Sequence, residues 1–234
     1  MNISSKKAIV FGGTSGIGLA TCQQLMSGGA EVVAVSRDPH KADESLNDMT
    51  LVAVDARDSD AVRAFFEVTG PIDILISSAT GGSRAFGPFL EMSMDGFKNS
   101  FDKLWGYSNV IRFGAPKLRD NGCIVLVSGT PARKMKSGQV ALSAVGAAVE
   151  ALNRAVAEEI APKRVNVIAL GIVDTPMVKL SGNDRTSHYQ NLTKSHLIKR
   201  PGRPDEIANA ILFAIENEFV TGTTIDVDGG WLVS

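Results

Sequence analysis

Short apolar segments alternate with longer amphipathic segments along the whole chain. The apolar segments are mostly continuous rather than alternating with polar residues, which predicts strands that are buried on both faces. Helices between successive strands allow those strands to run parallel in one sheet. We therefore expect a Rossmann-like, doubly wound α/β fold with three layers and a seven-stranded parallel sheet. The predicted strands are residues 8–11, 31–36, 51–54, 72–77, 124–128, 165–170 and 224–227.

One long helix and one long loop complete this pattern. Residues 138–160 are rich in alanine and predict a helix whose small side chains permit close packing. Residues 174–204 show no apolar periodicity, so we expect an irregular stretch in which residues 176–200 form a substrate loop or lid. No linker or repeat interrupts the chain, and residues 1–234 are expected to form a single Rossmann-type domain.

Charge and cysteine content narrow the class of protein. The chain has 24 lysines and arginines against 25 aspartates and glutamates, so bulk electrostatics favour neither nucleic acid nor an anionic membrane. No apolar run approaches the roughly 18 residues that a membrane span needs. The two cysteines, Cys22 and Cys123, are interpreted as packing residues of a reduced protein. We expect a cytoplasmic protein that acts on a small molecule.

The three histidines give no indication of a metal site. His40, His188 and His196 lack the spacing of metal-ligand pairs, and no cysteine or carboxylate accompanies them at such a spacing. We therefore predict that the protein binds no metal.

A glycine-rich turn after the first predicted strand indicates a phosphate-binding loop that leads into an amphipathic helix. Gly12 permits a tight turn, Gly16 lets the backbone approach a pyrophosphate, and Gly18 admits close packing of helix and strand. The helix N-terminus adds unpaired N–H groups and the positive end of the helix dipole. The predicted cofactor-binding residues of this loop are Gly12, Thr14, Ser15, Gly16, Ile17 and Gly18.

The ends of the second and third predicted strands bear on which dinucleotide binds. Enzymes that use the unphosphorylated cofactor usually carry an acidic residue at the end of the second strand, whereas this chain has Ser36 and Arg37 there. Arg37 can donate two hydrogen bonds to a 2′-phosphate, so we predict NADP(H). Asp38, one residue later, could instead bind the ribose hydroxyls, so NAD(H) stays an alternative. Asp55, followed by Ala56, either meets the adenine amino group or is an exposed carboxylate at a strand end.

Several segments together resemble the short-chain dehydrogenase/reductase family. They are the glycine loop, Asp73-Ile74-Leu75-Ile76, the alanine-rich helix, Arg164-Val165-Asn166-Val167 and Val227-Asp228-Gly229-Gly230. The resemblance covers nearly the whole chain and implies a nicotinamide-dependent oxidoreductase. It also implies cofactor contacts from residues of the segments after the fourth and sixth strands, namely Ser78, Ala79, Thr80, Ile172 and Thr175.

The chain departs from this family at the residues that carry its chemistry. When the alanine-rich helices are aligned, the family's Tyr-x-x-x-Lys positions fall on Leu142 and Gly146. Neither residue can transfer a proton, so the usual acid/base mechanism is not expected. The family's serine position falls on Gly129, which leaves the hydroxyls of Ser128 and Thr130 beside it.

Lys103 falls where the family has a supporting asparagine. If its amine lies in the pocket, desolvation lowers its pKa and lets it act as the acid, or as the link to a water. The alternative is a lysine on a solvated helix face. We predict Lys103, Ser128 and Thr130 as the catalytic residues. Further candidates for the pocket are Arg133, Lys134, Lys136, His188, Tyr189 and His196.

Three functions stay open at this point. The first is an atypical NADP(H)-dependent oxidoreductase that transfers hydride to or from a small carbonyl or hydroxyl compound, which we expect to be uncharged or aromatic. The second is an NADP(H)-binding scaffold or sensor without turnover, and the third is a non-redox enzyme on the same fold. The resemblance further implies a homodimer or homotetramer built through the long helices and residues 219–234, with no nucleic-acid or membrane partner.

Overall fold

A single parallel sheet forms the middle layer of the molecule. The structure is a computed structural model that describes residues 1–39, 49–80 and 83–234. The strands are β1 (Lys7–Phe11), β2 (Glu31–Ser36), β3 (Thr50–Ala53), β4 (Ile72–Ser77), β5 (Leu118–Gly129), β6 (Arg164–Leu170) and β7 (Thr224–Val227). They form one seven-stranded sheet in the order β3-β2-β1-β4-β5-β6-β7, with all neighbours parallel. The predicted fold class is thereby confirmed.

Helices cover both faces of this sheet. They are α1 (Gly16–Ser27), α2 (Ser59–Val68), α3 (Met94–Ser100), α4 (Asp102–Gly114), α5 (Val140–Glu159), α6 (Gly182–Thr193) and α7 (Pro204–Glu216). Helices α1 and α7 pack together on one face, whereas α2, α4 and α5 cover the other. Each face has its own apolar core, centred on side chains such as Leu25 and Ile211 or Phe66 and Val149. The strands are continuously apolar because both of their faces are buried.

The direction in which the strands are added reverses between β1 and β4. From β1 the sheet grows through β2 to β3, and from β4 it grows through β5 and β6 to β7. Ligands of open α/β sheets bind in the crevice outside the carboxyl ends of the strands at such a switch point. The loops that follow β1, β4 and β5 therefore define the candidate site.

Two sequence predictions about secondary structure need correction. Residues 174–204 are not irregular throughout, because Gly182–Thr193 forms helix α6. Most residues of this helix are polar and they leave no apolar stripe, so the periodicity of the sequence did not indicate it. Strand β5 begins earlier than predicted, at Leu118, because three exposed residues extend it before the apolar segment.

Helix α5 is long and apolar enough to cross a membrane when only length and composition are counted, in contrast to the sequence prediction. Its inner face packs on β5 and β6, however, and buries Val145, Val149 and Glu150. Glu150 Oε1 accepts a hydrogen bond from Arg133 Nε at 3.1 Å. A helix with a paired, buried carboxylate on its sheet-facing side serves here as a core helix.

The predicted packing role of both cysteines is confirmed. Cys22 on α1 and Cys123 on β5 are buried free thiols in the apolar core on the α1 and α7 face. Burial raises the pKa of Cys22 to about 12 and that of Cys123 to about 11. Both therefore stay protonated near neutral pH and lack the thiolate character of a reactive cysteine.

Candidate cofactor and catalytic site

The glycine loop after β1 is so tightly packed that two of its glycines leave no room for a side chain. Gly12 has a φ of 82°, and a Cβ there would lie 2.8 Å from Ala79 N and from Ser78 Oγ. At Gly18 a Cβ would lie 2.0 Å from Gly12 O. Only glycine fits at these positions, and the close packing brings the N-terminus of α1 to the carboxyl edge of the sheet.

The entrance to α1 keeps its backbone donors available. Ser15 precedes the first turn, its side chain makes no capping hydrogen bond, and no acidic residue lies in that turn. Thr14 and Ile17 are partly buried beside it. A Cβ at Gly16 would lie 3.6 Å from Thr175, so this turn faces the segment that follows β6. Helix N–H groups without a side-chain cap suit an anion such as a pyrophosphate.

Ser36 and Arg37 end β2, the strand beside β1. Gly12 N donates to Val35 O at 2.7 Å, which joins the glycine loop to this strand. Ser36 Oγ is buried and has no hydrogen-bond partner among the residues that the structure describes, and Arg37 is exposed next to it. A buried hydroxyl in need of a partner and an accessible guanidinium fit a phosphorylated ribose.

Asp55, the predicted adenine contact, is held by a neighbouring arginine. Arg57 donates to its carboxylate from the backbone N at 3.0 Å and from Nη2 at 2.6 Å. The hydrogen bond from the Arg57 side chain is the main reason why the pKa of Asp55 is lowered. Arg57 Nη1 also reaches Asp102 at 3.3 Å, and Ala56 O accepts from Asn109 Nδ2 at 3.0 Å. The adenine contact of Asp55 and Ala56 stays a prediction.

The segments after β4 and β6 carry the other predicted cofactor contacts. Ser78 donates to Phe11 O from its backbone N at 2.9 Å and from Oγ at 3.0 Å, which ties this segment to β1. Ile172 O accepts from Gly202 N, and Thr175 N donates to Tyr189 OH at 3.4 Å. Two further residues, Ala79 and Thr80, are partly buried at the same edge.

Leu142 and Gly146 lie on the first two turns of α5. A Cβ at Gly146 would lie 3.0 Å from Ala132 Cβ and 3.4 Å from Ala132 N, because the 3-10 turn Thr130–Ala132 packs against the helix at this point. A side chain at position 146 would require that turn to shift by a few tenths of an ångström. Part of the space beside α5 is therefore filled by backbone, and no titratable group occupies either position.

Lys103 lies on the first turn of α4 beside a buried tyrosine. Its Nζ is 5.4 Å from the centre of the Tyr107 ring, within the range of a cation–π interaction. Tyr107 OH donates to Val127 O at 2.7 Å, and Val127 directly precedes Ser128 on β5. Tyr107 thereby connects the lysine to the carboxyl end of β5.

The Lys103 amine differs from a solvated lysine in its acidity. Burial lowers its pKa from 10.5 to about 7, and the positive charge of Arg84 contributes to the same shift. The desolvation that the sequence hypothesis required is therefore present, and the amine can gain or lose a proton near neutral pH.

The two predicted hydroxyls have different partners. Ser128 Oγ is buried and makes no hydrogen bond to any of the residues that the structure describes. Thr130 Oγ1 donates to Leu170 O at 3.2 Å, so its proton is already used. Ser128 is consequently the better placed of the two to bind a substrate oxygen.

The basic residues after β5 have structural partners. Arg133 pairs with Glu150 of α5 and with both carboxylate oxygens of Asp226 on β7. Lys134 Nζ donates to Trp231 O at 2.6 Å, and Lys136 Nζ lies 4.8 Å from the centre of the Trp231 ring. These contacts hold the C-terminal segment in place.

The aromatic and histidine candidates of the predicted lid pack against the body of the protein. The buried His196 ring stacks on Trp231 with centroids 6.1 Å apart, and burial lowers its pKa. His188 contacts the Tyr189 ring edge-on at 5.6 Å. Within the described ranges no group of three metal-ligating side chains occurs, and His40 lies outside those ranges.

Sequence reasoning missed two arginines of this region. Arg84 follows β4, and its Nη2 lies 4.0 Å from Met177 Sδ in the segment after β6. Burial lowers the pKa of its guanidinium. Arg57 could have been noticed from its position two residues after Asp55, whereas no sequence signal places Arg84 beside Lys103.

Known proteins resemble this chain along nearly its whole length. Residues 12–232 match the family described as enoyl-(acyl carrier protein) reductase. The chain is 27% identical to L-xylulose reductase from Mus musculus, with 100% of this chain and 99% of that protein covered. A small-chain dehydrogenase solved in complex with NADPH is 34% identical, with a TM-score of 0.88 over 99% of this chain and 100% of that one. A short-chain oxidoreductase from Pseudomonas aeruginosa PAO1, described as containing an atypical catalytic center, is 31% identical, with a TM-score of 0.87 over 100% of this chain and 99% of that one. The chain therefore belongs to the short-chain dehydrogenase/reductase family.

Proposed function

We propose that this protein is an NADP(H)-dependent oxidoreductase that reduces a small carbonyl compound, or oxidises the corresponding alcohol, with Lys103 as its acid/base group. The observation that carries the proposal is the Lys103 amine, which is desolvated beside Tyr107 and has a pKa of about 7. A general acid works best when its pKa lies near the working pH. The Tyr and Lys that the family resemblance implies are absent from positions 142 and 146, and Lys103 supplies a proton donor in their stead.

The residues around the switch point fit NADP(H). Gly12 and Gly18 leave room for backbone where a Cβ would clash, so that a pyrophosphate can lie against the start of α1. The unpartnered Ser36 Oγ and the exposed Arg37 suit the phosphorylated ribose. Ile172 and Thr175 are proposed to hold the carboxamide end. When bound, the nicotinamide supplies the hydride.

The side chains of the chain itself handle the proton and the substrate oxygen. Ser128 Oγ, which lacks a partner in the described structure, donates a hydrogen bond to the carbonyl oxygen and orients it. The Lys103 ammonium gives its proton to the same oxygen as negative charge develops there. In the oxidative direction the neutral amine takes the proton back. The buried Tyr107 ring keeps water away from one side of the amine.

Support for this reading also comes from relatives. One is named L-xylulose reductase, another was solved with NADPH, and a third is described as having an atypical catalytic center. The two alternatives, a non-catalytic NADP(H)-binding scaffold and a non-redox enzyme, predict no consumption of NADPH with any carbonyl compound. A panel of ketones, aldehydes and quinones, followed by the absorbance of NADPH, separates them from the proposal.

Replacement of Arg37 by alanine is expected to weaken NADPH binding by about 10- to 100-fold, because a charged hydrogen bond to the 2′-phosphate is worth roughly 1.5–3 kcal/mol. The affinity for NADH, which has no 2′-phosphate, should stay unchanged. Fluorescence titration of both nucleotides measures the two dissociation constants.

Arg63→Ala provides the control for this experiment, because Arg63 is an exposed arginine on α2 that pairs with Asp60 and Glu67 of its own helix. It should leave both affinities as they are. Equal loss of NADPH and NADH affinity in Arg37→Ala would show that the 2′-phosphate is not bound at this residue.

We also propose that the protein self-associates as a homodimer or homotetramer. Large apolar side chains stand exposed on α4, on α7 and after α7, including Trp105 at 61%, Phe213 at 49% and Phe219 at 100% exposure. Exposed aromatic residues of this kind are enriched at subunit interfaces. Light scattering should give the mass of two or four chains, and a monomer at every concentration tested would contradict the proposal.

A further inference from the structure

Two positively charged side chains, Arg84 and Lys103, belong to segments that border the candidate site. Arg84 belongs to the segment after β4, and its guanidinium reaches across to Met177 Sδ in the segment after β6, at 4.0 Å. Lys103 approaches from α4, with its Nζ over the Tyr107 ring. Burial is the main cause of the lowered pKa of Lys103, and the positive charge of Arg84 adds to it. Burial raises the pKa of Tyr107, and the charge of Arg84 opposes that rise, so Arg84 acts electrostatically on both groups.

These cations have no counterion in the described part of the chain. Neither Arg84 nor Lys103 forms an ion pair there, and no carboxylate contributes to the pKa of either group. Lys103 is half-buried whereas Arg84 is exposed. The charge of Arg84 disfavours the protonated form of Lys103, because like charges repel and a half-buried group is screened less than one in bulk water. An arrangement of this kind favours the binding of an anion.

Six carboxylates of the elements at the carboxyl edge of the sheet are bound to other groups. Arg57 holds both Asp55 and Asp102, and Arg185 pairs with Asp174. Arg133 binds two further carboxylates, Glu150 and Asp226, and the Asp228 carboxylate accepts from the backbone N of Gly230 and Leu232. Among the residues that the structure describes, no acidic side chain forms an ion pair with Arg84.

We propose that the substrate is an oxo acid, whose carboxylate is bound by Arg84 while its carbonyl oxygen faces Lys103 and Ser128. The guanidinium is planar and presents paired N–H donors that match a carboxylate. This assignment rests on the proposed oxidoreductase function and names its substrate class. It replaces the uncharged or aromatic substrate that we expected from the sequence, where the unpaired state of Arg84 was not visible.

The reaction of such a substrate balances. The carbonyl carbon accepts a hydride, with both of its electrons, from NADPH, and the π electrons of the carbonyl group move to its oxygen. That oxygen takes the proton of the Lys103 ammonium, and the neutral amine then takes up a proton from solution, so that one H⁺ is consumed in each turnover. The products are a hydroxy acid and NADP⁺. The carboxylate itself stays unchanged and serves only to hold the substrate.

Matched pairs of acid and ester test the proposal. Phenylglyoxylate and 4-oxopentanoate are compared with their methyl esters as substrates for the wild type and for Arg84→Gln, Arg84→Lys and Arg63→Gln. We expect kcat/KM of the wild type to be at least about 10-fold higher for each acid than for its ester, by the value of one charged hydrogen bond. Arg84→Gln should lower the ratio of kcat/KM between each acid and its ester by about 10- to 100-fold, whereas Arg84→Lys should recover part of the loss. The ratio cancels any effect of the substitution on the pKa of Lys103, because acid and ester are compared in the same variant at the same pH. Arg63→Gln should behave as the wild type.

A binding measurement makes the result independent of turnover. The thermal stability of the protein with NADPH is recorded with oxamate, which resembles an oxo acid but is not reduced, and separately with inorganic phosphate. A stabilisation by oxamate that Arg84→Gln removes supports the proposal even if no compound is reduced, and in that case only the proposed oxidoreductase function fails. Stabilisation by phosphate but not by oxamate would mean that the anion is a phosphate rather than a carboxylate.

Other outcomes overturn the substrate class while the oxidoreductase function stands. Reduction of the esters as fast as the acids, in the wild type and in Arg84→Gln alike, would show an uncharged substrate. Loss of NADPH affinity in Arg84→Gln, with no effect specific to the acids, would show that Arg84 binds the cofactor. If neither the oxo acids nor oxamate bind to the NADPH complex, the proposal is wrong.

Discussion

Lys103→Met is expected to lower kcat/KM for carbonyl reduction by about 10²- to 10⁴-fold, the range that general acid catalysis contributes. Methionine is unbranched like lysine and one atom shorter, so it keeps most of the packing on Tyr107 but cannot donate a proton. NADPH affinity should stay within about 3-fold of the wild type, because the proposed binding residues lie on other segments. Steady-state kinetics and a fluorescence titration measure the two quantities.

The same variant is expected to be more stable than the wild type. Because the pKa of Lys103 is about 7 in the folded protein and 10.5 when the amine is solvated, the unfolded chain binds more protons between these values. The stability of the wild type therefore rises with pH over that range and is lowest, as far as this group is concerned, below pH 7. At pH 7 we expect Lys103→Met to gain about 2–5 kcal/mol, since one pKa unit corresponds to about 1.4 kcal/mol. Lys98→Met, at an exposed lysine of α3, should change neither activity nor stability.

The pH dependence of the wild type gives a second test of Lys103. A general acid must be protonated, so kcat/KM for reduction should fall as the pH rises above about 7, and kcat/KM for alcohol oxidation should rise over the same range. Arg84→Gln removes the positive charge that helps to lower the pKa of Lys103, so the fall of kcat/KM for reduction should move to higher pH. A profile of kcat/KM that is flat between about pH 6 and pH 9 would contradict the role of Lys103, because this range extends about two units above its pKa. Wild-type turnover in Lys103→Met would contradict it as well.

The sequence predicted the layers of the fold because burial on both faces of a parallel sheet leaves a plain signature. Strand β4 is apolar except for Asp73 and Ser77, and it could be predicted without any partner. Helix α6 could not, since its polar sequence lacks a buried stripe and it is held by contacts such as those of Arg185 with Asp174 and with Thr175 O. Those contacts join residues whose proximity only the folded chain defines.

The candidate site likewise contains residues that the sequence alone indicated and residues whose role needed the fold. Gly12, Gly18 and Arg37 stand in a local motif, so the sequence alone indicated a nucleotide. The lowered pKa of Lys103 depends on its burial in the folded chain, which one sequence does not give. The unpaired state of Arg84 depended on the partners of several distant carboxylates, and it emerged only when each of them was located in the fold.

Gly18→Ala is expected to weaken NADPH binding by more than about 100-fold and to lower the free energy of unfolding by about 3 kcal/mol, at the upper end of the usual cost of overpacking. Its Cβ would lie 2.0 Å from Gly12 O and 2.6 Å from Ser78 Oγ, and the first of these is backbone that cannot rotate away. The start of α1 would have to move off β1 and carry its N–H groups away from the pyrophosphate. Titration with NADPH and chemical denaturation measure both effects.

Gly70→Ala is the matched control, because nothing lies within 4 Å of a Cβ at that position and its backbone is not in the left-handed region. The extra methyl group should therefore leave both quantities unchanged. The comparison separates the general effect of replacing a glycine from the specific need for close contact between α1 and the loop. If Gly18→Ala bound NADPH as tightly as Gly70→Ala and unfolded at the same denaturant concentration, the pyrophosphate would have to bind elsewhere. In that case the contact of Gly18 with Gly12 would not be what positions the N-terminus of α1.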